Sequence, residues 1–123
     1  MKRIWFKPEC IQWILQRAKT TTFRRTKHEG EYKVVYGSRY NSKKTPLTII
    51  LKPLYNIDRE TVIKTWYNTE GPFKTPEEFT TWLKKAGLQL PANGWLHMID
   101  EKLILDAQEY DKWSMENVMP KLQ

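Results

Sequence analysis

The apolar positions near the start of the chain follow a helical period. Ile11, Ile14, Leu15 and Ala18 recur at the i, i+3, i+4, i+7 spacing, which places them on one face of a helix. Pro8 suits the first turn, because the N–H group that proline lacks would have no intrahelical partner there. The pattern predicts a short amphipathic helix that begins near Pro8 and ends just before Lys19.

The segments around this helix have the composition of β-strands. Threonine, aromatic and β-branched residues favour pleated positions, and these segments are rich in them. The predicted strands cover residues 4–6, 20–25, 31–36, 45–57 and 95–105, the last as one strand or a hairpin. Residues 39–44 are predicted as a polar, basic loop. Pro53 cannot donate to a strand ladder, so its strand is expected to lie at a sheet edge or to contain a bulge.

The second half of the chain is more helical. Asp58 is predicted to cap a helix that runs to Tyr67. Residues 75–78 have the pattern of a capping box with proline at the first helical position, followed by an apolar stripe and by Gly87 as a stop. Residues 106–109 resemble a second capping box, which predicts a C-terminal helical extension over 106–123.

The order of these elements favours a single α+β domain. A length of 123 residues fits one domain. The predicted order is one strand, one helix, several strands, two helices, a strand and a helix. This order predicts a small β-barrel or a strongly curved mixed sheet that is flanked by helices, with the C-terminal helix as an appendage.

The charge distribution points to an anionic partner. Residues 1–52 carry 13 lysines and arginines against three acids, whereas residues 53–123 carry 8 against 11, and the whole chain has a net charge of +7. A basic half of a small domain is typical of proteins that bind nucleic acid or nucleotides. Basic residues that serve only solubility are the alternative.

Other function classes are disfavoured by composition. The sequence has no apolar run of about 18 residues, so we expect no membrane span, and the absence of a signal-peptide pattern favours the cytoplasm. The single cysteine and the two distant histidines predict neither a disulfide nor a metal site, and no cofactor is expected.

Residues 19–25, with the sequence Lys-Thr-Thr-Thr-Phe-Arg-Arg, place one amine, three hydroxyls and two guanidinium groups within the length of one strand. Side chains alternate across a strand, so Thr20, Thr22 and Arg24 are predicted to face a cleft if Phe23 faces the core. Lys19 lies at the turn from helix to strand and can lean to the same side. A polar ligand, for example one that carries phosphate, would find an amine, hydroxyls and a guanidinium group there.

This segment resembles the signature of the ASCH domain, a branch of the PUA-like β-barrels. The family pattern is G-x-K-x-x-x-x-R, and Lys19 and Arg24 match it, whereas Arg17 replaces the glycine and would be strained in a left-handed turn. The step from Gly30-Glu31 into a strand, and the run from Asn68 to Phe73 before a capped helix, are also similar. The resemblance assigns residues 1–105 to an ASCH-like domain and leaves 106–123 outside it.

The resemblance implies two functions of different classes. ASCH domains are proposed to bind RNA or nucleotides in a cleft lined by the signature strand. Some members are amidohydrolases that deacetylate N4-acetylcytidine, and their residues correspond to Lys19 as base, Thr22 as nucleophile and Glu70 as the orienting or proton-shuttling acid. Ribonuclease activity, attributed to some members, is a third possibility. The residues expected to contact a ligand are Arg17, Lys19, Thr20, Arg24, Arg25 and Tyr36.

The binding function is favoured over hydrolysis on charge. A nucleoside is neutral and does not require a strongly basic half, whereas RNA or a nucleotide does. Aromatic side chains add candidate stacking surfaces for a base, namely Trp5, Trp13 and Trp95. Trp66 and Trp82 fit apolar helix faces and are predicted to be core residues, and His97 is predicted as a buried residue without a catalytic role.

Overall fold

A computed structural model describes residues 2–38, 42–105 and 113, and over these residues the protein is an α+β domain with a six-stranded mixed sheet flanked by helices. The strands are β1 (Lys2–Trp5), β2 (Thr21–Arg24), β3 (Gly30–Gly37), β4 (Ser42–Asp58), β5 (Asn93–Ile99) and β6 (Ile104–Leu105). The helices are α1 (Pro8–Leu15), α2 (Arg59–Thr65), α3 (Tyr67–Glu70) and α4 (Pro76–Ala86). None of the helices in these ranges has both the length and the apolar character that crossing a membrane requires.

The sheet is open, because β1 and β2 lie at its two opposite edges and do not pair with each other. Its strand order is β1-β3-β4-β5-β2, with β6 paired to β4, and β1 and β3 run parallel while the other pairs are antiparallel. The described strands therefore form a sheet that is not closed into a barrel, with β1 and β2 as its outer strands. This opening matters because a cleft lined by charged side chains lies beside it.

The 17 residues of β4 form the longest strand of the sheet. It pairs with β3 from Ser42 to Leu51 and with β5 from Leu51 to Asp58, so it is central in the strand order. Pro53 lies in the second part, where β5 is the strand partner among the described residues, so its own position is at a local edge, as predicted. The register shifts between Pro53 and Tyr55, which confirms the predicted bulge. The strand begins at Ser42, inside the segment predicted as a loop, and β6 pairs with β4 rather than forming a hairpin with β5.

Two apolar clusters stabilise the domain. The first packs α1 against β1, β3 and β4 around Ile11, Ile14 and Ile49, which are fully buried. The second packs α2 and α4 against β2 and β5 around Val62, Phe79 and Leu96. Trp113, the only described residue of the predicted C-terminal extension, is helical and belongs to the first cluster; the rest of that prediction lies outside the described residues.

The second-half helices follow their predicted boundaries in part. The Thr75 hydroxyl accepts a hydrogen bond from the Glu78 amide, and Gly87 ends α4 with φ of 68°, so the Thr75 cap and the glycine stop are confirmed. The Glu78 carboxylate accepts from the Lys74 amide, one residue before the position that a capping box predicts. The helix predicted from Asp58 to Tyr67 instead ends at Thr65, and the separate turn α3 follows. This break places Glu70 at the end of α3 and turns it toward β2.

Helix α1 ends in a Schellman motif, with Arg17 where a glycine is usual. The Ala18 amide donates to the Trp13 carbonyl at 2.8 Å, and the Arg17 amide donates to the Ile14 carbonyl at 3.1 Å. Arg17 has φ of 60°, the left-handed conformation that disfavours a residue with a Cβ atom. The turn therefore places Arg17 in the left-handed conformation in which it was predicted to be strained.

Replacing Arg17 by glycine is expected to raise the free energy of unfolding by about 1 kcal/mol, because glycine adopts the left-handed conformation without strain. The Arg17 guanidinium also donates to the Asp100 carbonyl at 3.3 Å, which offsets part of the gain. Urea denaturation would measure the difference. The control is Arg17→Ala, which loses this hydrogen bond and keeps the strain, so it should be less stable than the wild type; equal stability of the glycine and alanine variants would contradict the argument.

Candidate functional site

A cleft of about 530 Å³ opens beside the unpaired edges of β1 and β2. Its walls come from the end of β1, the start of α1, strand β2, the start of α2, helices α3 and α4, and residues 88–92. The polar and charged side chains that line it are those of Lys7, Lys19, Thr22, Arg24, Arg25, Arg59, Glu70 and Gln89. The predicted convergence of Lys19, Thr22 and Glu70 on one cleft is observed.

Lys19 and Glu70 form a buried ion pair at the inner end of the cleft. The Lys19 side chain is 7% exposed and that of Glu70 is 4% exposed. Lys19 Nζ donates to the Glu70 main-chain carbonyl at 3.1 Å and lies 3.4 Å from Glu70 Oε2. Two buried charges that are this close compensate each other, and each would be costly without its partner. We call Lys19, Thr22 and Glu70 the cleft floor.

Threonines on two elements hold the Glu70 carboxylate in place. The Thr21 hydroxyl donates to Glu70 Oε2 at 2.8 Å, and it also lies 2.8 Å from the Thr69 hydroxyl. The Thr20 amide donates to the Thr69 carbonyl, which joins the start of β2 to α3. Within the described residues Glu70 Oε1 accepts no hydrogen bond, so one carboxylate oxygen is left for a ligand.

Arg24 bridges the two outer strands. Its guanidinium donates to the Trp5 carbonyl of β1 at 2.7 Å and to the Thr22 hydroxyl of β2 at 3.2 Å, and it stacks 4.8 Å from the centre of the Phe6 ring. Burial is the main cause that lowers the pKa of Arg24 from its ordinary value. The bond to the Trp5 carbonyl joins β2 to β1, so Arg24 acts as a structural link across the open side of the sheet.

The cleft has an excess of positive charge. Five basic side chains line it against one carboxylate, and that carboxylate is paired with Lys19. Arg25 is exposed, and Lys7 and Arg59 are half-buried, so these three reach solvent more easily than the floor does. We call Lys7, Arg25 and Arg59 the basic rim. Burial is the main cause that raises the pKa of the Cys10 thiol, which also lines the cleft, so this thiol stays protonated.

His97 has the predicted structural role. It is fully buried, its Nδ1 lies 3.1 Å from the Thr22 carbonyl, and its Nε2 accepts a hydrogen bond from the His28 amide at 2.8 Å. An Nε2 acceptor leaves the proton on Nδ1, so the imidazole is neutral and donates to Thr22. Burial is the main cause that lowers the pKa of His97. Across the described ranges no three His, Cys, Asp or Glu residues are grouped as a metal site would need.

Three residues predicted to contact a ligand lie away from the cleft lining. Arg17 points to the Asp100 carbonyl, Thr20 precedes β2 and is half-buried, and Tyr36 packs against the first apolar cluster. Thr20 departs from the prediction because β2 begins only at Thr21, so strict alternation does not apply to it. Lys19, Arg24 and Arg25 do line the cleft.

Of the three tryptophans predicted as stacking surfaces, Trp5 lines the cleft and Trp13 and Trp95 do not. Trp13 packs against Phe73 and Trp82 at centroid distances of 5.5 and 5.2 Å. Trp82 joins both apolar clusters, and it also lines the cleft. Trp66 packs in the second cluster, as predicted, and Trp95 lies under the Lys27 amine at 5.1 Å.

Sequence reasoning missed Lys7, Cys10, Thr21 and Arg59. Thr21 was assigned to the core side of its strand, and it is buried, but it reaches Glu70 because α3 wraps over that side. Arg59 lies just after the long strand β4 and has no motif around it. Only the tertiary contact between distant segments brings these residues to the site.

Comparisons of the chain with protein-family models, with curated proteins and with solved structures gave no match. The function therefore has to be argued from the cleft itself.

Proposed function

We propose that the protein binds RNA or a nucleotide, with one nucleotide held in the cleft between β1 and β2. The observation that carries the proposal is that the cleft floor is balanced in charge, whereas the three side chains of the basic rim form no ion pair with any acid among the described residues. A volume of about 530 Å³ lies within the usual range of small-ligand pockets. It accommodates one base and sugar, and is too small for a duplex.

The floor offers groups that suit the edge of a base. Glu70 Oε1 is an acceptor, the Thr22 hydroxyl carries its own proton, and the Lys19 amine has three hydrogens of which Glu70 uses two. Phe6 and Trp82 add aromatic surface to the walls. A base can hydrogen-bond and stack in such a site, while its phosphate meets Lys7, Arg25 or Arg59 at the rim.

We expect the double variant Arg25→Ala/Arg59→Ala to lose RNA affinity by about tenfold or more in 0.1 M salt, since two phosphate contacts contribute a slope of about 1.4 in log K against log salt for single strands. Fluorescein-labelled ten-nucleotide RNAs of each single base serve as probes in anisotropy titrations at several salt concentrations. Unlabelled nucleoside monophosphates are the competitors.

The matched control is Lys64→Ala/Lys102→Ala, which removes the same charge at exposed positions outside the cleft. It should bind like the wild type apart from a small change at low salt. Failure of the wild type to bind any of the RNAs or monophosphates at low salt would overturn the proposed function.

A second candidate function is deacetylation of N4-acetylcytidine, which the shared position of Lys19, Thr22 and Glu70 favours. The Thr22 oxygen would attack the acetyl carbonyl as its proton passes to an uncharged Lys19 amine. The C–N bond would break as this proton is delivered, directly or by way of Glu70, to the leaving cytidine amine. Water would then hydrolyse the threonine ester to acetate. Against this, the Lys19 amine donates to the main chain and the carboxylate of Glu70 rather than to the Thr22 hydroxyl.

Cytidine release from N4-acetylcytidine tests this alternative directly. The Thr22→Val variant removes the hydroxyl and keeps the shape of the side chain, so it should abolish turnover if Thr22 is the nucleophile. Equal rates in the wild type and in Thr22→Val would exclude this mechanism. For ribonuclease activity the cleft lining offers no specific support, since no histidine is among its described residues.

A further inference from the structure

A second depression lies next to the cleft, on the outer side of β1 and β3. It has a volume of about 540 Å³ and is lined by Arg3, Trp5, Val35, Gly37, Ser38 and Ser42. Trp5 is the residue that lines both this depression and the cleft. The Trp5 indole donates to the Gly37 carbonyl at 2.6 Å, which fixes the ring as the ridge between the two.

The strand register shows which basic residues share this face. Trp5 pairs with Val35, and Val35 pairs with Lys44, so these three form one row across β1, β3 and β4. Arg3 pairs with Lys33 in the next row along the strands. Paired residues of neighbouring strands point to the same side of a sheet, so Arg3, Lys33 and Lys44 are basic side chains of the Trp5 face.

The spacing of this face fits a chain of nucleotides that leaves the cleft. Arg3 lies two positions before Trp5 on β1, about 7 Å away, and Lys44 lies two strands away from Trp5, about 10 Å. Arg3 and Lys44 are exposed. An aromatic ring flanked by exposed cations, over a mainly apolar depression, combines the stacking and phosphate contacts by which proteins bind single strands.

Because Trp5 lines both the cleft and the neighbouring depression, we infer that the outer face of β1, β3 and β4 is a second nucleic-acid surface. This surface binds the nucleotides that flank the one in the cleft. We call Arg3, Trp5 and Lys44 the outer track. The inference rests on the proposed function and sharpens it: the ligand is a single-stranded RNA of several nucleotides rather than a free nucleotide. A base that enters the cleft must be unstacked, which single strands allow without breaking pairs.

The test compares a long and a short ligand in the double variant Arg3→Ala/Lys44→Ala. We expect its affinity for the labelled ten-nucleotide RNAs to fall about tenfold in 0.1 M salt, and its salt slope to fall by about 1.4, as for two lost phosphate contacts. Its affinity for the best-binding nucleoside monophosphate should equal that of the wild type. Lys64→Ala/Lys102→Ala again controls for net charge, and circular dichroism checks folding.

The outcomes separate this inference from the proposed function. If the outer-track variant binds the ten-nucleotide RNAs as tightly as the wild type, or if the wild type binds them no more tightly than the monophosphate, the outer track is wrong while the cleft proposal stands. If Arg25→Ala/Arg59→Ala weakens neither ligand, the cleft proposal fails. Equal loss of both ligands in Arg3→Ala/Lys44→Ala would also overturn the outer track, since it would mean that the change disturbs the cleft.

Discussion

Replacing Lys19 by methionine is expected to lower the free energy of unfolding by about 3–5 kcal/mol, the range observed when one partner of a buried ion pair is removed. Methionine keeps the length of the side chain, so the loss reports on charge rather than on a cavity. The Glu70 carboxylate would then remain buried with only the Thr21 hydroxyl as a donor to Oε2. Urea denaturation followed by tryptophan fluorescence measures the change.

The double variant Lys19→Met/Glu70→Gln should regain a large part of the lost stability, because neither buried charge is left without its partner. The exposed pair of Lys52 and Asp100, with the Lys52 side chain 55% exposed, is the matched control. Lys52→Met is expected to change stability little, because exposed ion pairs contribute weakly. A small effect of Lys19→Met, comparable to that of Lys52→Met, would show that the floor charges are not coupled.

Replacing Arg24 by lysine is expected to destabilise the protein by about 2 kcal/mol, the typical value for hydrogen bonds of a charged donor. The guanidinium reaches the Trp5 carbonyl and the Thr22 hydroxyl together, and a single ammonium group cannot reproduce this fork. The loss should appear as faster amide exchange at Phe6, whose N–H donates to the Val35 carbonyl where β1 ends.

Arg24→Lys keeps the positive charge, so the comparison separates structure from binding. If Arg24 mainly links β1 to β2, the variant loses stability and keeps the salt slope of RNA binding. Unchanged stability together with a weaker RNA affinity would contradict this and would make Arg24 a ligand contact. Arg24→Met, which also lacks the charge, should be destabilised at least as much as Arg24→Lys.

The contacts of Lys19 and Arg24 stabilise the open side of the sheet, where the cleft lies. The outer strands of a sheet expose unpaired backbone groups, which proteins usually cover or block. Here the Arg24 guanidinium caps the Trp5 carbonyl of β1, and the ion pair of Lys19 with Glu70 joins the start of β2 to α3. The Lys19 amine and the Arg24 guanidinium thus donate to protein acceptors, so the basic rim is expected to be the first contact for an anion.

The local sequence pattern was sufficient to predict several helices and turns. The apolar period of α1, the Thr75 cap and the stop at Gly87 depend on contacts within a few residues, so a single segment specifies them. The bulge near Pro53 follows from the missing N–H group of proline. The α+β class likewise follows from the order of the elements.

The arrangement of distant segments was beyond such patterns. Nothing local shows that β4 is central or that β6 joins β4, because strand pairing depends on packing over the whole sheet. The break between α2 and α3 was missed, although it decides where Glu70 points. Thr20 was assigned to the ligand by strand alternation and Tyr36 by its position beside the basic loop, and the fold places both outside the cleft lining.

The sequence alone determined the α+β class, the basic first half and the chemistry of residues 19–25, because these depend on composition and on spacing within one element. Only the tertiary structure decided what that chemistry can do. It buried Lys19 against Glu70, 51 positions away in sequence, and it brought Arg59 from the far end of β4 to the same cleft. Burial and partner choice set whether a charge is a structural tie or a free contact, and both depend on the packing of distant segments.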